Sequence, residues 1–129
     1  EATVTIDFRS DPDARDAGIL FRCTGAAVGY DAQRGYFAGL IPKTGLVILG
    51  KTDGSGWSEI ARAPASIDVS KPQTLTVQVV GEAITVSHQG RSKISVTDAT
   101  YAKGTVGVRV VDTHARFNEL RISAHHNLP

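Results

Sequence analysis

A short apolar alternation that keeps returning limits this chain to a narrow set of folds. Thr3 to Phe8 reads TVTIDF, and the same every-other-residue pattern recurs in Gly18 to Thr24, Arg34 to Ile41 and Leu46 to Gly50. It continues in Trp57 to Arg62, Thr74 to Val80, Ala83 to His88, Lys93 to Thr97, Thr105 to Val111 and Ala115 to Ser123. A period of two puts successive side chains on opposite faces of a strand, one toward a core and one away. The breaks carry turn chemistry: Pro42-Lys43-Thr44-Gly45, Asp53-Gly54-Ser55-Gly56, Gly81-Glu82, Gln89-Gly90 and Asp98-Ala99-Thr100. Roughly ten short strands at this spacing predict an all-β, antiparallel two-sheet β-sandwich. No helical window survives; Pro64 breaks even Ala61 to Ser66.

Length and charge remove several classes of function. A chain of 129 residues suits one domain with one continuous core. With 41% hydrophobic and 21% charged residues it is an ordinary globular composition, not a disordered one. A net charge of +1, with no basic stripe, gives no electrostatic case for nucleic acid or an anionic membrane. No apolar run approaches the ~20 residues of a spanning helix. Cys23 is the sole cysteine and reads as a packed small hydrophobe, so no intrachain disulfide forms. The sandwich is expected over residues 1–123, with 124–129 (AHHNLP) as a non-alternating tail. Because Glu1 leads directly into a strand pattern, with no signal peptide ahead of it, the chain is expected to be a module of a longer polypeptide.

Catalytic templates are absent from the sequence. There is no nucleophile elbow, zinc-binding H-E-x-x-H helix or phosphate-cradling loop. Glycoside hydrolysis needs two carboxyl groups at a set separation. Here the acidic residues fall mainly in turns, and only Asp7, Glu59 and Glu119 are expected mid-strand, sharing no local spacing. His88 precedes a turn and is expected to be solvated, while His114 stands beside Asp112 at a strand tip. The informative stretch is Ala17 to Gly50, where a long polar loop carries Tyr30, Asp31, Gln33 and Arg34 between two apolar strands. Arg22 is expected opposite Ile19, Phe21 and Cys23, and Tyr36 and Trp57 bring aromatic surface. Guanidinium, carboxylate and phenol groups together suit hydroxyl-rich ligands, and aromatic rings cover apolar C–H faces.

The blocks GILFRCT, VGYDAQRGYFAGL, GLVILGK, GWSEIA, SVTDATY, GTVGVRV and DTHARFNELRI, in that order, resemble the carbohydrate-binding modules of family 66. Those modules are appended to levanases and other glycoside hydrolases and share the concanavalin A-like jelly roll with laminin-G-like domains. The resemblance implies a non-catalytic module with a shallow polar pocket for a terminal sugar, fructose of levan or another fructan in characterised members. Its partners would be a polysaccharide or oligosaccharide and a parent glycoside hydrolase in the same polypeptide, located outside the cell, on its surface or in the periplasm. Carried onto this chain, the pocket is expected to involve Arg22, Asp31, Arg34, Tyr36, Lys51, Trp57, Asp112 and His114. A structural calcium is a further implication, with Glu1, Asp7, Asp11, Asp13 and Glu119 as candidate ligands. Two other readings stay open at this stage: a small sandwich-fold glycoside hydrolase, or a laminin-G-like protein-interaction domain.

Overall fold

The computed structural model describes residues 1–10, 16–24, 34–111 and 116–123. They form ten strands and no helix: β1 (Ala2–Asp7), β2 (Asp16–Thr24), β3 (Arg34–Ile41), β4 (Leu46–Asp53), β5 (Trp57–Pro64), β6 (Gln73–Val80), β7 (Ala83–His88), β8 (Arg91–Thr97), β9 (Thr105–Val111) and β10 (Arg116–Ile122). Two five-stranded antiparallel sheets result, one ordered β10-β1-β6-β7-β8 and the other β5-β4-β3-β2-β9. The predicted β-sandwich is therefore the observed architecture.

Alternation explains how the sheets face each other. On the first sheet Ala2, Val4, Ile6, Leu75, Val77, Ile84 and Val86 turn inward and are buried. On the second, Ala17, Ile19, Phe21, Tyr36, Ala38, Leu40, Val47 and Leu49 meet them. Phe21 and Tyr36 stack with ring centroids 5.2 Å apart. The turn chemistry also holds: Gln89 and Gly90 both adopt positive φ, 51° and 78°, as a type I′ hairpin turn requires. Near the chain ends, the Glu1 ammonium and carbonyl both bond the backbone of Ser123.

β2 departs from simple alternation on both of its edges. Both partners of β2 slip register around Arg22, which takes a positive φ of 51°. Gly35 and Gly104 flank this bulge, and a Cβ on either would come within 2.5 Å of Cys23 Sγ or 2.3 Å of the Arg22 carbonyl carbon. The bulge redirects Arg22, which leaves the outward face expected of it and donates from Nη1 to the carbonyls of Gly81 and Tyr101. Cys23 beside it is half-buried, and desolvation holds its thiol above its usual pKa.

One expectation is corrected. His88 is not solvated: its ring is buried and bonds Gln73 Oε1 at 2.6 Å, because β7 alternation turns it inward with Ile84 and Val86. Of the calcium candidates, the three described ones, Glu1, Asp7 and Glu119, do not converge. Glu1 and Asp7 lie beyond opposite ends of the β1 core, while Glu119 pairs with Thr5 and forms an ion pair with Arg121. Among the described residues no group of three histidine, cysteine, aspartate or glutamate side chains could hold a metal ion. Asp11 and Asp13 lie outside the described residues.

Candidate functional site

Three of the expected binding residues do meet, but around a piece of backbone. The segment after β8 crosses to the second sheet, where Asp98 accepts hydrogen bonds from Tyr36 Oη (2.6 Å) and Lys51 Nζ (3.1 Å). Lys51 also reaches Thr100 Oγ1, and the Tyr101 amide donates to Tyr36 Oη. Arg22 holds the Tyr101 carbonyl, and the Tyr101 hydroxyl donates to the Thr52 carbonyl. Burial opposes the Asp98 charge, but hydrogen bonds from Tyr36, Thr100 and Lys51 outweigh it and hold the carboxyl well below the usual carboxylate range. Burial first, then the bond to Asp98, raises the Tyr36 phenol. The Tyr36 ring is fully buried, so it fastens the 98–101 segment and offers no stacking surface. This network is a clasp between the sheets.

Trp57 lies elsewhere, on the outer face of the β5-β4-β3-β2-β9 sheet. Pairing aligns the outward positions of neighbouring strands: Gly18 opposite Gly39, Gly39 opposite Ile48, and Gly50 opposite Phe37. These glycines leave room for rings to lie down. A Cβ on Gly50 would fall 2.3 Å from the Trp57 ring, and one on Gly39 2.6 Å from the Phe37 ring. Phe37 and Trp57 meet edge-on at 6.1 Å, and the Arg109 guanidinium sits 4.9 Å above the Phe37 centroid. Phe37 is consequently buried although it faces outward.

Beside this aromatic pair runs a depression of about 410 Å³, lined by Asp16, Ile41, Lys43, Thr44, Leu46, Ile48, Trp57, Glu59 and Arg62. A smaller hollow of about 60 Å³ between Asp16, Phe37, Ile48, Trp57 and Arg109 adjoins it, sharing three of the same residues. The first volume falls within the range of small-molecule sites. Glu59 meets Arg62 in a two-pronged ion pair, Nε and Nη2 each 2.9 Å from a carboxylate oxygen. Apolar floor, an indole wall and charged groups of both signs form a surface for a ring-shaped, polyhydroxylated ligand.

The expected set is thus divided. Arg22, Tyr36 and Lys51 belong to the clasp, and Trp57 to the outer depression. Arg34 is exposed at the start of β3, opposite Asp53. Asp31, Asp112 and His114 lie outside the described residues; β9, which leads to the last two, ends at Val111 opposite Asp16, at the far end of the sheet from Arg34. Sequence reasoning missed Asp16, Phe37, Lys43, Glu59, Arg62 and Arg109. The readable signal was the glycine at an outward position on each of three neighbouring strands (Gly18, Gly39, Gly50), a mark of close approach to a sheet.

Comparison with known proteins bears on this arrangement. No family model matches the chain. A levanase of Bacillus subtilis (strain 168) is 30% identical over 121 residues, covering 93% of this chain but 17% of the levanase. The solved carbohydrate-binding module CBM66 from Bacillus subtilis superposes with a TM-score of 0.80 and 25% identity, over 92% of this chain and 71% of that one. The chain resembles a family 66 carbohydrate-binding module. The solved structure it resembles is a carbohydrate-binding module, and the chain spans about a sixth of the length of the levanase it matches. Sheep galectin-11 superposes with a TM-score of 0.66 at 11% identity, over 93% of this chain and 86% of the galectin, which extends the likeness of fold alone to the concanavalin A-like sandwiches.

Proposed function

We propose that this domain is a non-catalytic carbohydrate-binding module that takes a terminal fructoside of levan or a related fructan. In this reading it holds an attached glycoside hydrolase at its polysaccharide outside the cell. Tethering raises the effective substrate concentration without altering the chemistry. The observation that carries the reading is the depression on the outer face of the β5-β4-β3-β2-β9 sheet, where Trp57 walls a hollow furnished with Asp16, Lys43, Glu59 and Arg62. The resemblance to CBM66 and to part of a levanase supports the choice of sugar.

In this site Trp57 covers the apolar side of the sugar ring, and carboxylate and guanidinium groups bond its hydroxyls. Of the residues expected from the sequence, Trp57 contacts the sugar directly. Asp112 and His114, which follow the β9 end opposite Asp16, are proposed rim contacts, and Arg34, at the far end of the sheet, is assigned no contact with this depression. Arg22, Tyr36 and Lys51 serve by holding the scaffold. Few atoms are in contact, so affinity for one saccharide unit is expected to be modest. Isothermal titration with levan oligosaccharides, alongside inulin- and glucan-derived ones, tests the proposal. Saturable heat with the fructans, lost in Arg62→Ala, is the expected result. No heat with any fructan sinks the choice of sugar, and no heat with any glycan sinks the reading.

A further inference from the structure

The outer depression continues past the space of one sugar ring. A single cross-strand row runs the full width of the β5-β4-β3-β2-β9 sheet: Arg109 pairs with Gly18, Gly18 with Gly39, Gly39 with Ile48, and Ile48 with Arg62. All five face outward, because the residues on either side of Gly18, Gly39 and Ile48 belong to the core and directly paired residues share a face. Four strand spacings separate the ends of the row, about 19 Å. Each edge strand, β5 and β9, thus brings a guanidinium to its end, with two glycines and an isoleucine between them. Both hollows of this face lie along the row. The larger includes Ile48 and Arg62, the smaller Ile48 and Arg109, and Asp16, Ile48 and Trp57 border both. They are two compartments of one trough, with the indole at their shared wall.

The sizes of the compartments and the chemistry at the β9 end indicate the ligand. About 410 Å³ suits a whole small molecule, whereas about 60 Å³ takes only part of one. A ligand filling both is a ring with a further group attached on the β9 side. Arg109 lies 4.9 Å from the Phe37 centroid, with the Phe37 ring buried beneath it. Stacking occupies the flat face of a guanidinium, while its N–H donors point outward in its plane. Asp16 brings a carboxylate to the same small hollow. A fork of donors beside an acceptor suits neighbouring hydroxyls. An apolar substituent there would desolvate both charges without bonding either. We infer that the trough holds two successive saccharide units, the terminal one in the larger compartment and an edge of the next in the smaller, where Arg109 hydrogen-bonds its hydroxyls. The inference rests on the sugar-binding reading and extends it: Arg109 selects for the unit behind the chain end.

Titration calorimetry with methyl β-fructofuranoside, levan disaccharide and levan trisaccharide provides the test. The dissociation constant should fall about tenfold from the first ligand to the second, and by less than about threefold from the second to the third. Arg109→Ala should bring the disaccharide to within about threefold of the methyl fructoside, whose own affinity stays as it was. Arg109→Lys keeps the stem and the charge but loses the fork, and should also weaken the disaccharide selectively. Arg62→Ala, in the larger compartment, should weaken all three ligands alike. Circular dichroism and the methyl fructoside affinity together check that the Arg109 variants are folded. Equal affinity for the one-unit and two-unit ligands overturns the inference and leaves the sugar-binding reading standing. So does a disaccharide advantage that survives both Arg109 variants, or a trisaccharide preferred about tenfold over the disaccharide. No heat with any of the three removes the sugar-binding reading for fructans, and the inference with it.

Discussion

On the outer face of the β10-β1-β6-β7-β8 sheet, neighbouring strands meet as Thr3 with Thr76, Thr76 with Ser87, and Thr5 with Thr74. On the outer face of the β5-β4-β3-β2-β9 sheet, corresponding neighbours are Gly18 with Gly39 and Gly50 with Phe37. The first face is even and polar, with hydroxyls such as Thr3 and Thr76 bonding each other at 3.1 Å. β-branched side chains of similar height leave no relief in which a ligand could sit. The second face has relief because it is built from extremes: no side chain at the glycines, and the large rings of Phe37 and Trp57 laid across them. Both sheets obey the same inward alternation. The difference lies in what was placed on the side that the core does not use.

The comparison can be broken most forcefully at Gly18. A Cβ there would stand 1.9 Å from the Ala38 carbonyl oxygen and 2.5 Å from Gly39 Cα, and backbone cannot yield as a side-chain tip can. Gly18→Ala is expected to cost about 3 kcal/mol in urea unfolding. A loss under about 0.5 kcal/mol would mean that the glycine floor is not needed.

Next in size is the clasp that joins the sheets. Asp98→Asn removes the charge that Tyr36 and Lys51 address and should cost about 2 kcal/mol at neutral pH. Because the folded Asp98 titrates below its unfolded value, its contribution is present above the ordinary carboxylate pKa and is lost as pH falls through the folded one. Burial likewise lowers the His88 pKa, so its contribution is present above the ordinary imidazole value and is lost as pH falls through the folded one. Stability should therefore decline in two acid stages. Asp98→Asn should flatten the lower stage and leave the upper, as chemical unfolding at a series of pH values would show.

A smaller effect is expected from Trp57→Ala, a loss of about tenfold in fructan affinity by titration calorimetry with the fold retained. Smallest of all, Thr76→Val on the opposite sheet should change stability by no more than about 0.5 kcal/mol and leave sugar binding untouched. If Thr76→Val weakened binding and Trp57→Ala did not, the two faces would have been assigned the wrong way round.

The strands were readable because alternation and turn chemistry are local properties: TVTIDF, Gly81-Glu82 and Gln89-Gly90 each signal their structure within a few residues. The site was read less well, for reasons of register and bulging. Arg22 follows the Ile19–Phe21 alternation in the sequence, yet a one-residue slip beside Gly35 and Gly104 sends it to Gly81 and Tyr101. Tyr36 and Asp98 are 62 positions apart, and nothing local announces their bond. Asp16, Glu59 and Arg62 likewise become neighbours of Trp57 only once β2, β3, β4 and β5 lie side by side.

Because the chain has one tryptophan, the indole against Gly50 is also its only strong native fluorophore. Its emission reports on a single place in the molecule, the wall of the outer depression. Occupancy of that hollow should alter its colour and its accessibility to a dissolved quencher such as iodide, so the unlabelled protein carries its own optical probe.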